Sequence, residues 1–341
     1  MIFIMETLFD LEMSGVDVQK IDLMPKDALI QREERDKIGY TIGQDWAFYH
    51  QPLPDGADAA IYRGHQDSKA RSRGREIDRY TKKWLQLRYH AYFRERTVSD
   101  SVTPDLLRVL DLKFCRITHV DLTHGAQLDS DWSVERLCND AGYAWGNLTI
   151  ISRKANESRG SMSFDDITKA SQSTRVTNGL KQMEWMRYKN IVRGPYFWAG
   201  KVKGIEPICM TMPRMVFIAP SQLLQDLAFW TVCHKKPQQR EIQKKILKRF
   251  CPTGASDIKL RKLLIRIDRN FQKGHAIHAT FTNPSCMNSF LEWYESTNFS
   301  TATYIEFFNR AIKGFLDIPK NSPTKLNPIE EWWLNTGGHT Y

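Results

Sequence analysis

The chain has 341 residues, of which 41% are hydrophobic and 11% aromatic. That apolar share can build packed cores, so the composition excludes a wholly disordered protein, and the length predicts two or three domains. No run of 18 apolar residues occurs, which excludes a membrane-spanning helix, and we expect no membrane partner. The apolar stretch at Met1 is too short for a signal peptide and lacks a basic lead, so we expect a cytoplasmic protein.

The six cysteines give no metal or disulfide framework. They stand at positions 115, 138, 209, 233, 251 and 286. No two of them form a CxxC pair, so the sequence predicts no zinc ribbon. Reduced and mostly buried thiols are the expectation for a chain of this length without a secretion signal.

Positive charge is concentrated in one segment. The whole chain carries a net charge of +10. Residues 235–273 hold thirteen Lys or Arg and three acidic residues, a net +10, so the remainder is close to neutral. A basic segment favours polyanionic partners, because each cation that meets a phosphate releases counterions. The alternative is a pair of helices with solvated basic faces.

The region before residue 112 predicts loops and two helices. Residues 63–76 are polar, basic and contain Gly and Ser, which predicts a flexible loop. Apolar residues at spacings of three and four predict a helix over about 77–96 with a basic opposite side. That side is either solvated or lies along a phosphate backbone. Thr103 and Pro104 predict the N-cap and first residue of a second helix, which ends near Leu112.

A compact unit follows over about residues 131–160. The alternating stretch 132–137 predicts a strand, and the turn residues after it predict a loop. A second short apolar strand is predicted over 148–151. Ser152 is a candidate N-cap for a helical region over 153–170. The order is strand, loop, strand, helix.

This unit is too small to be explained by burial alone. It places a carboxylate, Glu135, near the end of the first strand and an amide, Asn156, in the first turns of the helix. If the helix packs across the hairpin, these oxygens converge. One carboxylate and one amide oxygen, completed by water, suit a hard divalent cation such as Mg²⁺.

The unit resembles the HNH (ββα-metal) nucleases, in particular the phage and mobile-element branch. The family pattern reads Ser-x-Asp-Arg-Ile, then Gly-Tyr-x-x-Gly-Asn, then Ser-x-x-Ala-Asn-x-x-Lys. The matching positions are Ser133 to Leu137, Gly142-Tyr143, Gly146-Asn147, Ser152, Ala155-Asn156 and Arg159. Phe114 to Thr118 fits the strand and turn that precede the hairpin. The resemblance covers about 60 residues, within 112–170.

The resemblance implies a role for each matched residue. Glu135 stands where the family has its metal-binding acid, and Asn156 where it has a second metal ligand. Asn147 corresponds to the residue that braces the loop between the strands. Lys154 and Arg159 are expected to face a phosphate backbone. The implied cofactor is a divalent ion, Mg²⁺ with Mn²⁺ or Zn²⁺ as alternatives, and the implied substrate is double-stranded DNA.

One position departs from the family in a way that bears on activity. Arg136 stands where many members have the His that acts as general base, and a guanidinium cannot take a proton at neutral pH. The base is then His119, His124, Asp140 or a metal-bound water. Arg is common at this place in the branch that the unit resembles, so it does not by itself imply an inactive site.

The C-terminal half predicts mainly helices. The first runs over about 178–191 and ends at Arg193-Gly194-Pro195, and loops and short strands follow over 196–218. The further helices are predicted over about 221–234, 237–250, 257–272, 284–296 and 300–315. A tail from Pro319 carries Trp332-Trp333 against the body. The candidate DNA contacts of this half are Lys244, Lys248, Lys259, Lys262 and Arg266.

The sequence therefore predicts an α+β protein, a mainly α-helical body with one inserted ββα-metal module. The expected divisions are 1–111, 112–170 and 171–341, the last a DNA-docking region. The predicted function is metal-dependent endonuclease action on DNA, in a prokaryotic or phage setting. Two alternatives stay open. One is a catalytically degenerate DNA-binding protein that keeps the hairpin as scaffold, and the other is a subunit whose basic helices bind an acidic protein.

Overall fold

The computed structural model describes residues 32–69, 77–213, 216–300 and 303–304. These residues form a mainly helical α+β structure with one two-stranded antiparallel sheet. The strands are β1 (Trp132–Arg136) and β2 (Leu148–Ser152). The helices before them are α1 (Arg32–Phe48), α2 (Ala59–Lys69), α3 (Arg79–Phe93) and α4 (Pro104–Leu110). Those after them are α5 (Arg153–Arg159), α6 (Phe164–Gln172), α7 (Gln182–Trp198), α8 (Pro220–Cys233), α9 (Pro237–Lys248), α10 (Gly254–Gln272), α11 (Ile277–Thr282) and α12 (Pro284–Tyr294). Within the described ranges, no helix is long and apolar enough to cross a membrane.

The expected flexible loop over 63–76 is wrong for residues 63–69, which belong to α2, and residues 70–76 lie outside the described part. Helices α1 and α2 cross at two glycines. A Cβ at Gly43 would overlap the Ile61 carbonyl oxygen, and one at Gly64 would overlap the Tyr40 carbonyl oxygen. The backbones can approach this closely only because both glycines lack a side chain. Helix α2 is mainly polar, so the spacing of its apolar residues does not predict a helix or this contact.

The ββα unit forms with the predicted order. Strands β1 and β2 pair in antiparallel register, with Glu135 opposite Thr149 and Trp132 opposite Ser152. Ser152 caps α5 by accepting a hydrogen bond from the Ala155 amide, as the sequence predicted. The predicted helical region 153–170 is interrupted after Arg159 and resumes as α6.

Helix α7 does not end at Arg193-Gly194-Pro195, as the sequence predicted, but continues to Trp198. An internal proline costs about 3 kcal/mol of helix stability. Packing outweighs that cost here, because Arg193, Gly194 and Pro195 are all buried. Gly194 lies so close to the backbone of Phe217 that any Cβ would overlap its carbonyl oxygen.

The other predicted helices are found within a few residues of their expected bounds, from α3 and α4 to α8, α9, α10 and α12. The six-residue α11 was not predicted. The predicted helix over 300–315 falls largely outside the described residues, and the Trp332-Trp333 tail falls wholly outside them.

Two hydrophobic cores hold the described chain together. The smaller contains Ile42, Trp46 and Ile61 of α1 and α2 with Leu85 and other residues of α3. The larger runs from Leu87 to Tyr304 and includes residues on both sides of the predicted divisions at 111 and 170. The ββα unit therefore shares its core with the flanking helices. The division into three parts stays a prediction of the sequence.

We expect Gly64→Ala to lower the free energy of unfolding by about 1–3 kcal/mol, because the new methyl group overlaps backbone of α1. Gly254→Ala is the matched control. Nothing lies within 4 Å of a Cβ at Gly254, so this change should leave stability within about 1 kcal/mol of the parent or slightly above it. Urea unfolding of both variants measures the difference. Equal stabilities would contradict the glycine crossing.

Candidate functional site

The loop between β1 and β2 is braced by one asparagine. The side-chain oxygen of Asn147 accepts a hydrogen bond from the Cys138 amide at 2.7 Å. Its side-chain nitrogen donates to the carbonyl oxygens of Cys138 at 3.1 Å and Gly142 at 2.9 Å. Asn147 is fully buried, so all three bonds are shielded from water. The side chain thus closes the loop, which is the place that the resemblance to HNH nucleases implies for it.

The carboxylate expected to bind metal lies in a buried ion pair. Glu135 on β1 contacts the guanidinium of Arg159 on α5, and the two side chains are 8% and 0% exposed. The Tyr188 hydroxyl of α7 donates to the same Glu135 oxygen at 3.2 Å. Arg159 also donates to the carbonyl oxygens of Arg136 at 2.5 Å and Leu137 at 2.8 Å. One guanidinium therefore sits among three oxygen atoms of β1 and the residue that follows it.

Burial and the opposite charge of the partner both shift the pKa values of this pair. Burial raises the pKa of the Glu135 carboxyl above its ordinary value, and the Arg159 guanidinium opposes that rise. Burial alone would lower the pKa of Arg159, but the neighbouring Glu135 carboxylate raises it above its ordinary value. Burial also raises the pKa of Tyr188, so its hydroxyl stays a hydrogen-bond donor. A guanidinium does not deprotonate in proteins, so Glu135 always faces a cation.

The residues at Glu135 do not fit a divalent metal ion. Arg159 stands one helical turn after Asn156, and its permanent charge already neutralises the carboxylate. The Asn156 side-chain nitrogen donates to the Ser133 hydroxyl at 2.6 Å, so the two expected ligands are bonded to different partners. Among the described residues, no cluster of three or more His, Cys, Asp or Glu side chains could hold a metal. The metal assignment stays a prediction of the resemblance, and the geometry argues against it.

Arg159 was expected to face a phosphate backbone, and the structure buries it instead. The physical reason is the Glu135 carboxylate on the adjacent strand, which holds the guanidinium inside the unit. Lys154, on the first turn of α5, is exposed and remains a candidate phosphate contact.

Arg136 is also held by its own loop. Its guanidinium donates to the carbonyl oxygens of Asn139 and Ala141, both at 2.9 Å, and lies 5.2 Å from the centre of the Tyr143 ring. Burial lowers its pKa from the ordinary value. These contacts give Arg136 a role in fixing the loop that Asn147 closes.

The three candidate bases lie in separate surroundings. The His124 ring nitrogen Nε2 is 2.9 Å from a carboxylate oxygen of Asp111, and its ring packs on Trp132 at the start of β1. Glu135 lies three residues further along that strand. Asp140 forms an ion pair with Lys201. The structure therefore brings neither His124 nor Asp140 into contact with the Glu135 carboxylate.

His119 is exposed and adopts a left-handed backbone conformation, with φ of 62°. Its ring packs edge-on against Phe114. Burial and the charge of Arg187 lower its pKa, partly opposed by Glu184.

Two residues around these sites could not be found from the sequence. Tyr188 reads as an apolar position of a packed helix, and it lies 53 positions from Glu135 in the chain. Asp111 ends α4, and its carboxylate also accepts a hydrogen bond from the Tyr80 hydroxyl at 3.0 Å. Neither position carries a local pattern that indicates its partner.

Comparison with family models, curated proteins and solved structures found no match for this chain. The function is therefore inferred from the geometry of the described residues.

We expect Arg159→Ala to lower the free energy of unfolding by about 3–5 kcal/mol, because it leaves the Glu135 carboxylate buried and unpaired. The double variant Glu135→Leu with Arg159→Met removes both charges and should recover most of that loss. Lys154→Ala, on the exposed side of the same helix, is the control and should change stability by less than about 0.5 kcal/mol. Denaturant unfolding measures all three. A fully stable Arg159→Ala variant would show that the pair does not hold the unit together.

Proposed function

We propose that this protein binds double-stranded DNA without cleaving it, and that its ββα unit serves as a scaffold. This is the first of the two alternatives left open by the sequence. The observation that carries it is the buried ion pair of Glu135 with Arg159.

The ion pair favours a binding protein over a nuclease for an electrostatic reason. A divalent ion at Glu135 would lie beside a guanidinium that cannot lose its charge, and like charges at such short range repel strongly in a buried place. Displacing Arg159 would also leave the carbonyl oxygens of Arg136 and Leu137 without their donor. The arrangement instead has a structural role, because it connects β1, α5 and α7.

The case for DNA comes from the distribution of charge. Residues 235–273 carry a net +10, equal to the net charge of the whole chain. Such a segment attracts a phosphate backbone, and release of condensed counterions makes the binding depend on salt. A solvated basic surface is the alternative, and only binding measurements separate the two.

Metal-dependent endonuclease action, with Mg²⁺, Mn²⁺ or Zn²⁺, is the second candidate. It is favoured by the bracing of the loop by Asn147, which matches the place that the resemblance implies. The exposed Lys154 at the start of α5 would suit a phosphate contact in such an enzyme.

Incubation with supercoiled plasmid tests both candidates. We expect the plasmid to stay supercoiled with each of Mg²⁺, Mn²⁺ and Zn²⁺, and duplex DNA to be retarded in a gel at low salt. The retardation should weaken steeply as salt rises. Glu135→Gln and Asn156→Ala are the control variants, and circular dichroism confirms that each of them folds.

Metal-dependent nicking by the parent chain that both variants lose would overturn the proposal in favour of the nuclease. Absence of any duplex binding would favour the third reading, a subunit that binds an acidic protein. Nicking that both variants retain would indicate a contaminating nuclease, and the binding result alone would then decide.

A further inference from the structure

Helix α9 differs from every other described helix in how little of it is buried. Leu247 is its one buried residue. Residues 235–242 and Lys245, Lys248 and Arg249 are all exposed. A helix that packs on its neighbours along a single edge leaves most of its circumference open to a partner.

Helix α9 and the residues that flank it are strongly basic. Residues 235–249 contain seven Lys or Arg and one acidic residue, a net charge of +6 in fifteen positions. Two of these cations have acidic neighbours: Lys244 lies 3.8 Å from Glu241, and Lys248 lies 3.8 Å from Asp257. Surface pairs at such distances contribute little and do not prevent a phosphate contact. Arg240, Lys245 and Arg249 form no ion pair with the acidic residues of the described ranges.

Helix α10 carries five further basic residues, and two of them contact α12. Lys262 lies 3.0 Å from Glu292 of α12, and Arg266 donates to the Ser285 carbonyl at 2.7 Å. The hydrogen bond from Lys262, and then the charges of Arg266 and Lys259, lower the pKa of Glu292. Three of the cations that the sequence predicted to contact DNA therefore interact electrostatically with the Glu292 carboxylate.

The outward side of α10 alternates exposed cations, Arg261 and Arg269, with exposed aliphatic side chains. Ile258 and Ile265, two turns apart, are 66% and 52% exposed. On α9 the outward stripe reads Gln238, Ile242, Lys245 and Arg249, at spacings of four, three and four residues. That stripe offers an amide for hydrogen bonding and an aliphatic group, followed by two cations.

We propose that α9 is the element that enters the major groove of duplex DNA. This inference rests on the proposed DNA-binding function and names its surface. A helix of twelve residues is about 18 Å long and fits a groove about 12 Å wide. Lys245, Lys248 and Arg249 contact phosphates, while Gln238 and Ile242, on the same side of the helix, reach base edges.

The experiment compares two charge-matched triple variants by duplex binding from 50 to 250 mM KCl. The first carries Lys245→Gln, Lys248→Gln and Arg249→Gln, on and just after α9. The second carries Lys259→Gln, Lys262→Gln and Arg266→Gln on α10. The probe is a 20-base-pair DNA of mixed sequence, and circular dichroism with thermal melting confirms that both variants fold.

We expect the α9 variant to flatten the slope of log K against log salt by about 2.7, the value for three lost phosphate contacts. The α10 variant should flatten it by less than about 0.9, one contact. Equal slopes in the parent and the α9 variant would overturn the inference while leaving DNA binding intact. A parent chain that does not bind the duplex would instead overturn the proposed function itself.

Duplex RNA of the same length tests the groove. The major groove of RNA is too deep and narrow for a helix, so we expect the parent chain to bind RNA at least tenfold more weakly. RNA binding as tight as DNA binding would overturn docking in the major groove. Tighter binding of a poly-glutamate chain than of the duplex would overturn it in favour of an acidic protein partner.

Discussion

The ββα unit depends on the ion pair between Glu135 and Arg159. The pair joins β1 to α5, and the Tyr188 hydroxyl extends it to α7. A carboxylate buried so fully is tolerable only beside a cation. Because Arg159 also donates to the carbonyl oxygens of Arg136, the last residue of β1, and of Leu137, it holds α5 against the end of the strand. The guanidinium also lies 5.7 Å from the centre of the Tyr188 ring, so α7 contacts both members of the pair.

The kind of cation determines what the unit can do. A metal ion bound by a carboxylate and an amide keeps open positions for water and substrate, and these positions carry the chemistry. A guanidinium has no such positions: its two terminal nitrogens donate to Glu135, Arg136 and Leu137, and its charge is permanent. The same fold of hairpin and helix can therefore be stable in the two cases while only the metal-bound one is reactive. For this reason the fold alone does not decide between the two proposed functions.

The sequence predicted those parts of the structure that local chemistry determines. Thr103 and Ser152 cap their helices as expected, and the hairpin of β1 and β2 forms at the expected residues. Contacts between distant segments decided the rest. Pro195 is accommodated inside α7 because the residues beside it are buried. Helix α2 packs closely on α1 because Gly64 has no side chain. In the candidate site, the place of Asn147 followed from the resemblance to HNH nucleases. The partner of Glu135 did not, because a basic residue three positions after Asn156 reads equally well as a phosphate contact or as a buried counterion.

Two groups of cations lie in different environments, one in the buried interior of the ββα unit and one on the exposed surface of α9. Inside the ββα unit, Arg159 and Arg136 are bonded to Glu135 and to carbonyl oxygens of the loop, so neither cation is free for a ligand. The cations of α9 are in water, where they retain their counterions until a polyanion displaces them. A buried cation stabilises a fold, and an exposed one attracts a partner, because only the exposed charge can exchange one set of ions for another. The stability of the unit and the proposed DNA binding thus depend on arginines in different places. A change at Arg159 should act on folding and a change at Arg249 on binding, although both remove the same chemical group.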